Sequence, residues 1–312
     1  MLQEDGARKN GATGLDVDAR HGPILVTGSH RSGTTWVGRI LSRARLVHEP
    51  FNLTMVSEGR SFEPGLWYRY IHDSNADQYR EAIRRTLETQ PYHHDQSRGA
   101  TSLRRNLRAR LAFAVRGKRD RVIYKDPLAF FSAPWLHSEF GMIPVVMIRH
   151  PAAFVSSVKL KNWRFDFANF TSQPDLLDGP LAPWREQIEA AAHTPPELGA
   201  HAILLWNCIY STALRYCETH PHWIYRTHEE MSLDHAAEFA RLFKALGLTF
   251  GTAQQQALEE TSGTHNPSEQ TEQQFRRNSR ANIDNWKTRL EPAEIDVILK
   301  ATKDVRVQFY DE

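Results

Sequence analysis

The sequence predicts an α/β fold in which a central parallel sheet is flanked by helices. Amphipathic helical patterns alternate with short apolar runs, and this alternation is typical of a doubly wound parallel sheet. The runs are rich in β-branched residues and have the length of buried strands. They are PILVTG (23–28), RVIYK (121–125), IPVVMIR (143–149) and HWIYRT (222–227).

The helical patterns follow these runs in order. Trp36, Val37, Ile40 and Leu41 form one apolar face after the first run, and apolar residues recur at every fourth position between residues 103 and 115. Two longer amphipathic patterns cover 196–220 and 233–248, and the second has a helix-stop glycine near its end. The segment 165–183 lacks periodicity and contains turn residues, so we expect a loop over the active-site face.

Composition and charge exclude several classes of protein. The chain has 312 residues, of which 40% are apolar and 24% charged, as expected for a soluble domain with a sizeable core. A net charge of +2 gives no strong global field, so we expect local anion sites and no nucleic-acid partner. No apolar run approaches the roughly 18 residues of a membrane span.

The organisation that we expect is a flexible leader over residues 1–20 and a single domain over 21–312. The leader region lacks the apolar core of a secretion signal. Cys208 and Cys217, the two cysteines, form neither a CxxC pair nor a disulfide framework. A reducing, cytoplasmic location is therefore the default expectation.

The stretch TGSHRSGTTW (27–36) connects the first apolar run to the first helical pattern. Its glycines, Gly28 and Gly33, have the spacing of a nucleotide-triphosphatase loop, and Thr35 occupies the Ser/Thr position. Thr34 stands where that loop has its lysine, and the nearby cation is Arg31, inside the loop. Backbone N–H groups at such a turn bind anions, so the stretch predicts a site for a phosphate chain that needs no metal. A simple Ser/Gly turn capping a helix is the alternative.

SHRSGTTWVGRIL resembles the 5′-phosphosulfate loop of sulfotransferases that use 3′-phosphoadenosine-5′-phosphosulfate (PAPS). The resemblance implies a P-loop-type fold and places the loop cation at Arg31, where many members have lysine. A guanidinium can bond two phosphate or sulfonyl oxygens at once. The donor-binding residues that the resemblance implies in this loop are Arg31, Ser32, Gly33, Thr34, Thr35 and Trp36.

VVMIRHPAAFVSSV matches a second element of the same family, which holds the 3′-phosphate of the donor. Arg149 at the end of a predicted strand, Pro151 and Ser157 have the family's spacing. The strand tip faces the edge of the sheet where open α/β folds bind cofactors. An arginine that merely caps a strand is the alternative interpretation.

The C-terminal stretch QFRRNSRANIDNWKTRLEPAEI resembles the family segment that closes over the nucleotide. Its Trp286 and Lys287 match a Trp-Lys pair of that segment. Which arginine would contact the 3′-phosphate stays open, because the spacing to the tryptophan differs from the family pattern. The candidates are Arg276, Arg277 and Arg280, with Arg277 and Arg280 preferred.

Two short stretches supply candidates for the chemistry. In LVHEPFN, Glu49 is our first choice for the base, as in related enzymes with a Glu-Pro at this place, and His48 is the alternative. IYKDPLAFF resembles the Lys-Thr-His-Leu-Pro stretch of cytosolic sulfotransferases, so Lys125 is expected to contact the sulfonyl group. Asp126 lies beside the position of the missing histidine. It is expected to orient Lys125, and less readily to act as a base.

The resemblance therefore predicts a PAPS-dependent O-sulfotransferase that needs no metal. The acceptor would carry a hydroxyl on a small molecule, carbohydrate or lipid, and the basic segment 103–121 could attract an anionic one. The sequence does not specify the oligomeric state. A P-loop NTP-dependent kinase is one alternative, opposed by Thr34 and by the pair of Arg149 and Ser157. A nucleotide-binding module without activity is the other.

Overall fold

The central sheet has five parallel strands in the order β2-β3-β1-β4-β5. The computed structural model describes residues 22–42, 45–58, 62–88, 121–195, 197–261 and 283–310. The strands are β1 (Ile24–Gly28), β2 (Leu46–His48), β3 (Ile123–Lys125), β4 (Ile143–Ile148) and β5 (Ile224–Thr227). The predicted α/β class with a parallel sheet flanked by helices is confirmed.

Helices connect the strands and cover both faces of the sheet. Up to residue 192 they are α1 (Thr34–Leu41), α2 (Asp77–Glu88), α3 (Ala133–Phe140), α4 (Pro151–Leu160), α5 (Ala168–Thr171), α6 (Pro174–Asp178) and α7 (Arg185–Ala192). Beyond it they are α8 (Leu198–Thr219), α9 (His228–Leu233), α10 (His235–Ala245), α11 (Thr252–Thr261), α12 (Trp286–Arg289), α13 (Pro292–Ala301) and α14 (Lys303–Arg306). Short 3₁₀ helices cover Leu53–Glu58, Pro127–Ser132 and Ala182–Trp184.

Two apolar cores form because successive side chains of a strand point to opposite faces of the sheet. On one face, Leu25 of β1 packs in a core that includes buried aromatic residues of α4 and α8. On the other face, Ile24 and Val26 pack with the apolar side of α1 and with Phe239 and Leu242 of α10. Burial on both faces explains why the inner strands read as continuous apolar runs in the sequence.

The structure corrects two expectations about local structure. Strand β2 was not predicted, because Leu46–His48 is a short edge strand whose three residues are only half-buried and form no apolar run. The loop expected over 165–183 is wrong in its local structure, since α5, α6 and a 3₁₀ turn occupy much of it. Each is too short to show a helical period. The helix predicted near 103–115, the leader and Arg276, Arg277 and Arg280 lie outside the described residues.

Candidate active site

The candidate site lies at the carboxyl edge of the sheet. Because all strands are parallel, the segments that leave them meet at this edge. The loop 29–33 follows β1, Glu49 follows β2, Lys125 ends β3 and Arg149 follows β4. The strand order places β1 between β3 and β4, so the loop lies between the two cationic side chains. The predicted site residues at the ends of β1, β2, β3 and β4 are therefore brought to one edge of the sheet.

The loop 29–33 depends on its two glycines. Gly28 has φ 139°, and a Cβ there would lie 2.2 Å from the carbonyl oxygen of Met147 in β4. Gly33 begins α1 with φ 92°, and its Cβ would lie 2.5 Å from Nδ1 of His228. Both positions combine a left-handed backbone with close neighbours, so a side chain at either would displace the loop. The glycine spacing seen in the sequence is thus a geometric requirement.

The first turn of α1 presents unpaired amide groups. No side chain caps this helix. The amide N–H groups of Gly33, Thr34 and Thr35 have no hydrogen-bond partner among the described residues. Free N–H groups together with the positive end of the helix dipole favour an anion at this position.

Hydrogen bonds of Ser29 and Ser32 stabilise the loop. The Ser29 hydroxyl lies 2.7 Å from the Tyr210 hydroxyl, and both the amide and the hydroxyl of Ser32 donate to the Ser29 carbonyl oxygen. Ser32 is fully buried. Its hydrogen bonds stabilise the turn, and the expected contact of Ser32 with the donor stays a prediction.

Arg31 connects the loop to the second predicted anchor. Its backbone is left-handed, with φ 65°, and its Nε donates a hydrogen bond of 2.9 Å to the Ser157 hydroxyl. Ser157 lies on α4, two turns after the end of β4. Two motifs that are 126 residues apart in sequence thus meet through their polar side chains. The Arg31 side chain is exposed, which leaves its guanidinium accessible to an anion.

Glu49 and Lys125 form a buried ion pair. The Lys125 ammonium donates to Oε1 of Glu49, and the Asn52 amide donates to Oε2 at 2.8 Å. The Lys125 side chain is 1% exposed and that of Glu49 17%. Burial raises the pKa of Glu49, but the charges of Lys125 and His48 and the hydrogen bonds outweigh it and lower the pKa to about 2.

This pairing counts against Glu49 as the base. Both carboxylate oxygens of Glu49 already accept hydrogen bonds, one from Lys125 and one from Asn52. Glu49 instead compensates the charge of Lys125. Gly38 of α1 makes room for the pair, since a Cβ there would lie 2.9 Å from Cγ of Lys125. This role of Gly38 could not be predicted, because in the sequence it looks like any other residue of an amphipathic helix.

Asp126 stabilises the backbone through both of its carboxylate oxygens. Its Oδ2 accepts from the amide of Phe51 at 2.6 Å, and its Oδ1 accepts from the amide of Leu128 at 2.9 Å. The second bond caps the 3₁₀ helix that follows β3. Burial, followed by the charge of Glu49, raises the pKa of Asp126 to about 8. The residue is fully buried and its observed hydrogen bonds go to the backbone, and both predicted roles, base and orienting group, stay predictions.

We expect Asp126→Asn to lower stability with little effect on donor binding. The amide NH₂ cannot accept a hydrogen bond, so either Phe51 or Leu128 would keep a buried, unpaired N–H group. Such a group costs about 1–3 kcal/mol. Urea unfolding measures the loss, and Asp175→Asn at an exposed position serves as the control. If Asp126→Asn kept its stability but lost most of its turnover, Asp126 would have to be a catalytic residue.

Two aromatic residues and one acidic residue hold Arg149 in place. Its amide donates to the Tyr210 hydroxyl at 3.1 Å, and its carbonyl accepts from the Trp206 indole at 2.8 Å. Its Nε lies 3.5 Å from Oε1 of Glu229, whose other oxygen accepts from the Tyr310 hydroxyl at 2.7 Å. These contacts fix the backbone of the strand end and leave Nε without a hydrogen bond among the described residues.

Further positive charge surrounds His150. Burial, followed by the charges of Arg306, Arg149 and Lys287, lowers the pKa of His150 to about 4. The His150 ring stacks on Trp286 with centroids 4.9 Å apart, which brings the C-terminal segment to the second anchor. Several cations close together suit a doubly charged phosphate. Arg306 was not predicted, because an arginine in a terminal helix looks like any solvated residue.

Trp36 and His48 lie at the periphery of this arrangement. The Trp36 indole donates to the Thr261 hydroxyl at 3.2 Å and packs edge-on against Phe239. It thereby ties α1 to α10 and α11. His48 ends β2 opposite Lys125 in the register and is half-buried. Neither residue contacts the loop 29–33 through a hydrogen bond in the described part of the chain.

The described ranges contain no group of three or more histidine, cysteine, aspartate or glutamate side chains placed to hold a metal ion. The predicted independence from metal stays a prediction. Among the same residues, no helix has the length and apolar character needed to cross a bilayer.

Fold and site together define an α/β protein whose central strand leads through a loop with two constrained glycines into a helix with N-terminal amides that are unpaired among the described residues. The sequence signature of the sulfotransferase family matches residues 23–252, and the chain belongs to this family. This membership makes it an enzyme of sulfate transfer.

Solved structures with a similar fold include two domains of low sequence identity. The sulfotransferase domain from the Synechococcus PCC 7002 olefin synthase is 17% identical, with coverage of 93% of this chain and 95% of that one and a TM-score of 0.46. The sulfotransferase domain from the curacin biosynthetic pathway is 13% identical, with coverage of 90% and 97% and a TM-score of 0.43. A search of curated proteins gave no match.

Proposed function

We propose that the protein transfers the sulfonyl group of PAPS to an acceptor hydroxyl. The observation that carries this proposal is the 2.9 Å hydrogen bond between Arg31 of the loop and Ser157 of α4. In the family pattern the first residue belongs to the 5′-phosphosulfate site and the second to the 3′-phosphate site. Their contact supports one continuous site for a donor that is phosphorylated at both ends.

The residues at this edge fit such a donor. The unpaired amides of Gly33, Thr34 and Thr35 suit the 5′-phosphosulfate, and Arg31 adds a cation that cannot be deprotonated. At the other end, Arg149 offers an Nε with no hydrogen bond among the described residues, and Ser157 offers a hydroxyl. The Arg277 and Arg280 assignments lie outside the described residues and stay predictions.

Lys125 and Arg31 are the cations that would stabilise negative charge during transfer. The donor supplies an activated sulfonyl group. Fixed cations in a buried site stabilise developing charge more than water does, because they need no reorganisation. Glu49 compensates the charge of Lys125 and holds it in place, since an ammonium that is 1% exposed would be costly to bury alone. Trp36 stabilises the far side of α1 and contributes to donor binding indirectly.

A kinase is disfavoured by the same geometry. Thr34 is buried at the position where a triphosphatase loop carries its phosphate-binding lysine. Lys125 reaches the edge from β3 but is held by Glu49. A binding module without activity would need neither a buried cation nor a cavity beside the loop, and the described residues contain both.

An acceptor screen tests the proposed activity. The protein is incubated with ³⁵S-labelled PAPS and with mixtures of phenols, glycans and lipids, and sulfated products are identified by mass. We expect at least one sulfated product together with release of adenosine 3′,5′-bisphosphate. Transfer of phosphate from labelled ATP in the same mixtures, with no sulfated product, would favour the kinase.

Several further properties belong to this proposal. We propose one domain over residues 21–312, preceded by a leader, and a cytoplasmic location. We also propose that transfer proceeds without a metal and that the protein has no nucleic-acid partner. Removal of divalent ions with EDTA should leave sulfate transfer unchanged, and loss of transfer that added Mg²⁺ restores would contradict this.

A further inference from the structure

A cavity of about 140 Å³ lies beside the loop 29–33, and nothing described so far fills it. His30 of the loop contributes to its wall. Apolar side chains from α4 and α8, from the segments after α4 and before α2, and from the 3₁₀ helix after β3 form much of the rest. Among them are Trp67, Leu128, Val158, Trp163, Phe165 and Leu205. His30 directly precedes Arg31, so the loop that carries the proposed sulfonyl site also forms part of the cavity wall.

The size and lining of the cavity suit one six-membered ring. An apolar cavity of about 150 Å³ in another protein encloses a benzene molecule. Trp67 and Trp163 lie edge to face with ring centroids 6.3 Å apart, and aromatic walls of this kind favour an aromatic ligand. The cavity is too small to enclose a long acyl chain.

The polar side chains around the cavity are already engaged. Both carboxylate oxygens of Glu197 cap α8, and the Asn169 amide bonds to the backbone at Trp67 and Asp166 through its oxygen and its nitrogen. An oxygen of Asp166 accepts from the amide of Ala168. A sugar needs a partner for each of several hydroxyls, because an unpaired buried polar group is costly. The lining therefore disfavours a sugar ring.

His30 and His201 are the exceptions among these polar groups, and His30 is the one that belongs to the loop 29–33. Its side chain is buried, and its Nδ1 lies 2.8 Å from the Tyr68 hydroxyl. Among the described residues, Nε2 has no hydrogen-bond partner. The ring meets Trp163 edge-on, with centroids 3.7 Å apart, so it is wedged between the loop and the aromatic wall. A single hydroxyl on a ring in the cavity would find its partner here.

We propose that the cavity binds a phenol, a hydroxyl-bearing aromatic ring, and that His30 accepts the hydroxyl proton at Nε2. This inference rests on the proposed sulfate transfer and names its acceptor class. The phenol oxygen forms a bond to the sulfonyl sulfur, while the bond from sulfur to the phosphate oxygen breaks. The electron pair of that bond leaves with adenosine 3′,5′-bisphosphate, and the proton moves to His30.

The proposed role requires the tautomer with its proton on Nδ1, for which the Tyr68 oxygen offers an acceptor at 2.8 Å. The backbone amide of His30 donates to the Tyr68 oxygen at 3.4 Å, so this oxygen already serves as an acceptor. Donation from Nδ1–H to the same oxygen leaves the lone pair on Nε2. Burial, followed by the charge of Arg31, lowers the pKa of His30 well below its ordinary value, so the ring is neutral at pH 7. A neutral imidazole is the form that can accept a proton.

The first test measures ring binding without turnover. Calorimetric titration with 4-methylphenol uses the protein saturated with adenosine 3′,5′-bisphosphate. Ala202 lines the cavity on α8 and is 4% exposed, so Ala202→Leu fills part of the space. We expect at least about tenfold weaker binding of 4-methylphenol, a loss of about 1.4 kcal/mol, with bisphosphate affinity unchanged. Ala200→Leu, at an exposed site on the same helix, is the matched control.

Three results of this titration would overturn the proposal. They are no binding of 4-methylphenol to the wild type, equal binding to Ala202→Leu, and tighter binding of methyl glucoside or octanol than of 4-methylphenol. Absence of bisphosphate binding to the wild type would instead count against the proposed donor and hence against the function itself. The two failures are therefore distinguishable.

The second test concerns the proton. His30→Gln keeps a hydrogen-bonding side chain but removes the basic nitrogen, so turnover of 4-methylphenol should fall about 10²–10⁴-fold. Bisphosphate and 4-methylphenol should still bind, because neither the anion site nor the aromatic wall changes. The wild-type rate should hold as pH is lowered to 6.5. Near-normal turnover in His30→Gln would contradict the assignment.

Discussion

Lys125→Met should lower turnover about 10²–10³-fold, the usual effect of removing one preorganised group that stabilises transition-state charge. Methionine has a similar length and suits the buried position, where the lysine side chain is 1% exposed. Steady-state kinetics with an acceptor from the screen measures the loss. Lys159→Met, which removes a half-exposed cation of α4, is the matched control and should keep nearly full turnover.

A double-mutant cycle separates the two possible roles of Glu49. If Glu49 acts through Lys125, Glu49→Gln should reduce turnover in the wild type but have little further effect in Lys125→Met. If Glu49 is the base, as the sequence first indicates, its loss should reduce turnover by a similar factor in both backgrounds. The ion pair and the low pKa of Glu49 favour the first outcome. Equal factors in the two backgrounds would restore Glu49 as the base.

Arg149→Ala should weaken binding of adenosine 3′,5′-bisphosphate about tenfold or more, because a charged hydrogen bond contributes about 1.5–3 kcal/mol. Affinity for adenosine 5′-phosphosulfate, which lacks the 3′-phosphate, should stay nearly unchanged. Calorimetric titration of both ligands measures the difference. The variant also releases Glu229 from its ion pair, so its thermal stability is measured alongside.

The control for Arg149→Ala is Arg241→Ala, which removes the same charge at a side chain that is 63% exposed. It should leave both affinities unchanged. Equal losses for the two ligands in Arg149→Ala would mean that Arg149 does not contact the 3′-phosphate. They would indicate a general effect on the loop 29–33 through Tyr210, which contacts both segments.

The elements that could be predicted are those with a local signal. Strands β1 and β4 are long, buried on both faces and flanked by glycine or proline, so their runs stand out in the sequence. The loop after β1 has a fixed glycine spacing, and the close approaches to Met147 and His228 explain it. The spacing from Arg149 to Ser157 follows from a strand that passes directly into a helix. In each case the residues that matter are neighbours in sequence.

The roles that could not be predicted depend on contacts between distant segments. Glu49 and Lys125 meet because β2 pairs with β3, and the short strand β2 gives no sequence signal. A carboxylate that caps a helix, such as Asp126, cannot be distinguished from a catalytic one by its neighbours in sequence. His30 contacts Tyr68 and Trp163, which belong to two other segments of the chain. Knowledge of strand order would have been needed to find any of these.

The central claim is that the loop after β1 binds a donor phosphorylated at both ends and needs no metal. Thermal unfolding in the presence of ligands tests it most directly. Adenosine 3′,5′-bisphosphate without magnesium, at about 100 times its dissociation constant, should add roughly 2.7 kcal/mol to the free energy of unfolding. ATP with Mg²⁺ at the same concentration should add much less. Greater stabilisation by ATP with Mg²⁺ than by the bisphosphate would contradict the account and favour a kinase.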